Sequence, residues 1–167
     1  NVVPGEGEFG QGVATKKVDY SPDLIAAEAL KFIEKNQGRP FFLYFASTLP
    51  HANNEANRQS GAAAMEIPDY GPFSKKDWPD AQKGLAAMIN RLDGDVGRIL
   101  DLLKRLGLDE NTLVLFSSDN GPHREGSRPE FFDSNGPLRG IKRDLTEGGI
   151  RVPTLARWPG HIKPSTV

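Results

Sequence analysis

An α/β fold, holding part of a mostly parallel sheet flanked by helices, is predicted by three features of this 167-residue sequence. Residues 112–116 form an apolar run without alternation, ending in Ser117-Ser118-Asp119-Asn120-Gly121-Pro122. Strands buried on both faces of a parallel sheet read this way. A long amphipathic helix precedes that run and closes at Gly107. Helical and strand-like segments also alternate along the chain, the order from which βαβ units are built.

Residues 1–20 are Gly-rich and polar, the composition of a surface loop. Ser21-Pro22-Asp23 starts a helix, with Ser as cap, Pro at the first helical position and Asp in the first turn. Its inner stripe is Ile25, Ala29, Phe32 and Ile33, and Gly38 follows its end near Asn36. Residues 41–46, Phe-Phe-Leu-Tyr-Phe-Ala, read as a buried strand. Residues 52–80, broken by Pro68, Gly71, Pro72 and Pro79, form a long excursion with a short helical turn, and long loops of this kind are often functional. From about Asp80 to Leu106 the residues Leu85, Ile89, Leu92, Val96, Ile99, Leu103 and Leu106 recur at steps of four and three. This makes one apolar face for packing on a sheet. Gly84, Gly94 and Gly97 each cost up to about 1 kcal/mol in such a helix, which argues against a coiled coil. A last short strand is expected at residues 154–158.

The length suits one domain with a core of its own. A net charge of -1 and a pI of about 6.4 provide no global field to recruit nucleic acid or anionic membrane. No apolar run is long enough to span a bilayer, and the first residues lack the basic head and apolar core of a secretory signal. With no cysteine, these residues form no disulfide, thiolate metal site or cysteine-derived nucleophile.

Three places can carry chemistry. Asp119 and Asn120 lie just past the carboxyl end of the expected strand, where open α/β sheets place their ligands. Both are hard oxygen donors of the kind Ca²⁺ or Mg²⁺ prefers, although Asp-Asn-Gly-Pro is equally a turn sequence. His51 follows Pro50, which stiffens the backbone and helps to aim the imidazole; a loop His more often has no role. Lys142 lies in a Gly-rich stretch with Arg139, Arg143 and Arg151, either a grip for an anion or a charged surface loop in which Glu147 pairs with an Arg. Metal and Lys would neutralise an oxyanion such as sulfate or phosphate, and His would protonate a leaving oxygen.

These motifs resemble the type I sulfatases, the arylsulfatase family of the alkaline-phosphatase superfamily. The resemblance rests on Ser118-Asp119-Asn120-Gly121-Pro122, on Lys142 followed by Glu147-Gly148-Gly149-Ile150-Arg151-Val152-Pro153, and on residues 42–45 with Pro50-His51. Asp93, Val96-Gly97-Arg98, Leu106-Gly107-Leu108 and Asn111-Thr112-Leu113-Val114 match the helix-to-strand passage of the same family. It implies an alkaline-phosphatase-like core and hydrolysis of sulfate esters. Asp119 and Asn120 would be two ligands of a catalytic Ca²⁺, with Mg²⁺ as the alternative. His51 would contact the sulfate and leaving oxygen as general acid, and Lys142 would bind the sulfate or bridging oxygen. His123, Arg124 and Glu125 would shape the substrate pocket, while Glu147 and Arg151 would serve the loop itself.

The family's nucleophile is a formylglycine made from Cys or Ser in a Cys/Ser-x-Pro-x-Arg motif, and neither that motif nor the family's amino-terminal Asp pair occurs here. The expectation is therefore a central portion, residues 1–167, of a sulfatase catalytic domain, inactive alone and prone to self-association through cut sheet edges. The resemblance implies a sulfated small molecule or glycan as substrate and a periplasmic, secreted or lysosomal-type location. A phosphodiesterase or phosphonate hydrolase of the same superfamily, or a non-catalytic binding module on that scaffold, are the competing readings.

Overall fold

The computed structural model describes residues 18–54 and 64–167, so the expected amino-terminal loop lies almost wholly outside the described residues, as does part of the 52–80 excursion. The chain divides into two compact units, residues 1–48 and 49–167.

In the first unit, helix α1 spans Ser21–Asn36. Tyr20, rather than Ser21, is the cap residue, and its carbonyl accepts from Asp23 N and Leu24 N at 3.0 and 3.3 Å. The buried face is Pro22, Ala26, Ala29, Ile33 and Asn36, a rotation from the expected stripe. Ile25 and Phe32 stay partly exposed because they line a shallow groove with residues 43–46, and Phe32 meets Phe41 edge-to-face at 5.9 Å. Asn36 closes the helix by donating to the Phe32 carbonyl at 2.7 Å and accepting from the Arg39 guanidinium. Residues 41–46 alternate in exposure but pair with no strand among the described residues. Phe42 is 87% and Tyr44 81% exposed, so the expected buried strand is corrected to an unpaired segment with one bare apolar side.

In the second unit, helix α2 spans Asp80–Arg105. Leu85 and Leu103 of the expected stripe are buried, with Met88 and Leu102 beside them, whereas Ile89 is half exposed. The helix ends in a Schellman motif: Gly107, at φ +70°, donates to Lys104 O at 3.1 Å, and Leu108 donates to Leu103 O at 2.9 Å. Its glycines differ in purpose. A Cβ on Gly84 would stand 2.6 Å from the Met65 carbonyl oxygen, so only glycine lets that segment lie against the helix; nothing stands within 4 Å of one on Gly94. Gly94→Ala is expected to stabilise by up to about 1 kcal/mol through helix propensity, while Gly84→Ala destabilises despite the same propensity gain. Urea unfolding of the two variants checks the opposite signs.

Strand β1, Val114–Ser117, pairs with β2, Thr154–Arg157, in an antiparallel ladder from Val114↔Arg157 to Ser117↔Thr154. The sheet among the described residues is this two-stranded antiparallel pair, and the mostly parallel sheet expected from the sequence is not seen among them. The direction of the pair is set at its ends. Arg157 grips Asp109 with both guanidinium nitrogens, at 2.6 and 2.9 Å, and Trp158 Nε1 donates to Glu110 O at 3.0 Å. The close of β2 is thereby tied to the chain entering β1. At the other end Ser117 and Thr154 hydroxyls meet at 3.0 Å, and Gly121 N donates to Gly149 O at 2.9 Å. β1 is not buried on both faces either, for Leu115 is 67% exposed on one face of the pair and Leu155 63% on the other.

Short 3₁₀ turns at Gly71–Phe73, Asp109–Asn111 and Pro129–Phe131, and the one-turn helix α3 at Glu147–Ile150, complete the described elements.

Candidate active site

Three loops of the second unit converge through backbone contacts. The His51 loop is anchored one and two residues later: Ala52 is buried, Asn53 N donates to Ala64 O at 2.7 Å, and Asn53 Nδ2 donates to Glu66 at 2.8 Å. Gly126, at φ +76°, closes on this anchor; a Cβ there would stand 2.7 Å from Ala64 Cβ and 3.2 Å from Ala52 Cβ. The loop carrying His123 is therefore pressed against the one carrying His51. Lys142 N donates to Pro122 O at 2.8 Å, which joins the third loop to the turn after β1. Glycines make that junction close. A Cβ on Gly121 would overlap the Gly148 carbonyl oxygen, and one on Gly148 would overlap Gly140 O.

Lys142 Nζ consequently lies 3.1 Å from His51 Nε2, across 91 residues of sequence. His51 Nδ1 is 2.7 Å from Ala52 O. A carbonyl only accepts, so Nδ1 carries the proton and neutral His51 presents its Nε2 lone pair to the Lys142 ammonium. The His123 ring sits 5.5 Å from that of His51 at a tilt of 35°. Its Nδ1 is 3.1 Å from Glu125 Oε2, out of hydrogen-bond alignment, and neither buried atom has another partner among the described residues. Glu125 in turn pairs through Oε1 with Arg143. Arg124 points to different company: it pairs with Glu130 and is exposed. Glu147 reaches Arg151 at 3.4 Å between exposed side chains, the surface pairing foreseen for that stretch.

Burial pushes the His123 imidazole below its usual range; Glu125 opposes this, while His51 and Lys142 add to it. Burial pushes Glu125 up, but the Arg143 hydrogen bond, a backbone hydrogen bond and the charges of Arg143 and His123 outweigh it, leaving the carboxyl below its usual value. Both directions work against folding in acid. An unfolded His takes up a proton near pH 6.5, which folded His123 resists, so stability falls as pH drops through that value. The Glu125 contribution goes later, as pH falls through its lowered folded pKa. The loss of thermal stability between pH 7.5 and 5.5 is expected to shrink in His123→Asn, and scanning calorimetry at the two pH values measures it.

Asp119 is exposed and uses its carboxylate in no hydrogen bond or ion pair among the described residues. Asn120 Nδ2 donates to Gly121 O at 2.9 Å, which leaves Oδ1 as an acceptor. These two oxygens have the chemistry of a hard-cation half-site, but no group of three or more His, Cys, Asp or Glu able to hold a metal occurs among the described residues. Of the residues singled out in the sequence, His51, Lys142, His123 and Glu125 come together, Asp119 and Asn120 lie in the turn joined to them through Pro122, and Arg124 turns away. The Arg143–Glu125 pair was hidden in the sequence, where Arg143 was one cation among four.

Two imidazoles and an ammonium thus gather beside a turn that offers two side-chain oxygen donors. The Sulfatase family model matches residues 6–167, and the chain belongs to the sulfatase family. It is 39% identical to human N-acetylgalactosamine-6-sulfatase over 162 residues, 96% of this chain and 27% of that protein. With human arylsulfatase A the identity is 36% over 153 residues, 92% of this chain and 25% of that protein. Among solved structures, that of Ps i-CgsB in complex with k-i-k-neocarrahexaose superposes with a TM-score of 0.71 at 31% identity, covering 90% of this chain and 30% of that one. The chain thus spans 25–27% of the length of these curated relatives.

Proposed function

We propose that this chain is the central portion of a sulfatase catalytic domain and that the whole protein hydrolyses sulfate esters. The observation that carries this reading is the 3.1 Å contact between Lys142 and His51 within a sulfatase-family sequence. Lys142 binds a sulfate oxygen or the bridging oxygen, and its charge offsets what builds up as the ester bond breaks. Because Nδ1–H of His51 is committed to Ala52 O, the pair holds one proton between Nζ and Nε2. That proton passes to the departing oxygen, the general-acid step.

Asp119 and Asn120 supply two ligands to a Ca²⁺ or Mg²⁺, the other oxygens coming from elsewhere in the whole protein, since Ca²⁺ takes about six to eight. A cation held there would supply Lewis-acid stabilisation when bound. The formylglycine nucleophile is supplied from outside these residues. His123 and Glu125 border the pocket, and Arg124 lies at its margin. A sulfated glycan fits as substrate, because relatives include an N-acetylgalactosamine-6-sulfatase and a structure holding a carrageenan-type oligosaccharide.

Hydrolysis of 4-nitrophenyl sulfate by the whole protein, beside the matching phosphodiester, tests the class. Faster sulfate hydrolysis by about tenfold or more is expected; preference for the phosphodiester would replace this reading with the phosphodiesterase one. The chain by itself is expected to be inactive and to self-associate through the bare Phe42, Tyr44, Leu115 and Leu155 side chains, which light scattering would reveal. A monodisperse monomer would contradict that.

A further inference from the structure

The cations of the third loop do not share one task. Lys142 and Arg143 are adjacent in sequence, yet Lys142 faces His51 whereas Arg143 pairs with Glu125. We propose that Arg143, acting through Glu125, is a positioning residue that holds His123 against His51, and that it does not grip the substrate anion. This rests on the sulfate-ester reading of the site.

The geometry forms one line. The Arg143 guanidinium holds Oε1 of Glu125, the other carboxylate oxygen stands 3.1 Å from His123 Nδ1, and the His123 ring lies 5.5 Å from His51. Glu125 is largely covered and His123 is more so, with 21% and 11% of their side chains accessible. Glu125 Oε2 and His123 Nδ1 have no hydrogen-bond partner among the described residues, so each is the other's available mate after a small ring rotation. Arg143 is the member left in solvent, at 69%, and its charge makes a nearly buried carboxylate tolerable there. Loss of Arg143 leaves Glu125 free to swing out to water, and His123 then loses the support that fixes its tilt on His51. The groups facing His123 are Glu125, His51 and Lys142, and Arg143 acts on it only through Glu125.

A direct anion grip and a positioning role differ in kinetics. In the whole protein, Arg143→Ala is expected to lower kcat for 4-nitrophenyl sulfate about tenfold, the scale of removing a partner that orients a functional His. KM and inhibition by free sulfate should change less than twofold. Glu125→Gln should reproduce the kcat loss, and the double variant should be no worse than either single one, as for residues acting in series. Arg143→Lys should recover part of the rate, with thermal melting as the control for folding. A raised KM and weakened sulfate inhibition at unchanged kcat would overturn the proposal, as would additive losses in the double variant. A readout independent of turnover separates this from failure of the sulfatase reading. The ¹⁵N-imidazole titration of His123, assigned by its disappearance in His123→Asn, should move down in Arg143→Ala, because the Glu125 charge that raises it swings away to water. An unmoved His123 titration would sink the relay whether or not the protein cleaves sulfate esters.

Discussion

Replacing His51 by Ala in the whole protein is expected to cut sulfate-ester hydrolysis by about 10²–10⁴-fold, the range for loss of a positioned general acid. The size of the effect should depend on the leaving group. 4-Nitrophenolate departs without much help, so its sulfate should lose least. A sugar sulfate, whose alkoxide leaves poorly, should lose most. The variant should melt close to the parent temperature, because His51 is exposed and its loop is anchored instead by Ala52 and Asn53. An equal loss for both substrates would assign His51 to anion binding, and no loss would remove it from the site. Lys142→Ala gives the complementary case. It strips both the charge that meets Nε2 at 3.1 Å and the proton the pair shares, and is expected to cost about 10²–10³-fold, again more for the sugar sulfate.

The second large effect is expected at Asp119. Its carboxylate is exposed and makes no hydrogen bond or ion pair among the described residues, so Asp119→Ala removes the proposed ligand without breaking an internal contact. The whole protein should lose Ca²⁺ affinity by about a hundredfold or more, since removing mere outer-shell partners already costs 10–100-fold. Thermal melting across a Ca²⁺ series measures this directly: the parent should rise with Ca²⁺ by mass action and the variant should stay flat. A variant that still rises over the same concentrations would leave Asp-Asn-Gly-Pro as a turn and nothing more. Asn120→Ala should show a smaller loss, because a neutral amide oxygen contributes less to a hard cation than a carboxylate.

The two long helices were legible because their periodicity and ends are local properties. Gly107 stops α2 through bonds to its own last turn. The rotation of α1 was not legible, since Ile25 and Phe32 are apolar whichever way they face, and the groove they share with residues 43–46 depends on where that segment runs. The direction of this strand pair was not legible for a related reason. An unalternating apolar run says that a strand is wanted, but the antiparallel return of β2 is fixed by Arg157 on Asp109 and Trp158 on Glu110, pairs 48 residues apart. At the site, residue types pointed to His51, Lys142, Asp119 and Asn120. Which cation serves which partner was decided by packing: glycines at 121, 140, 148 and 149 let the third loop close onto the turn, and this sends Lys142 to His51 and Arg143 to Glu125.

The most direct measurement is sulfate released from a sulfated oligosaccharide by the whole protein, counted by ion chromatography beside the His51→Ala and Lys142→Ala variants. Steady release by the parent, falling at least about a hundredfold in each variant, is the predicted result. Release that continues undiminished in both variants would contradict the assignment of ester cleavage to this pair.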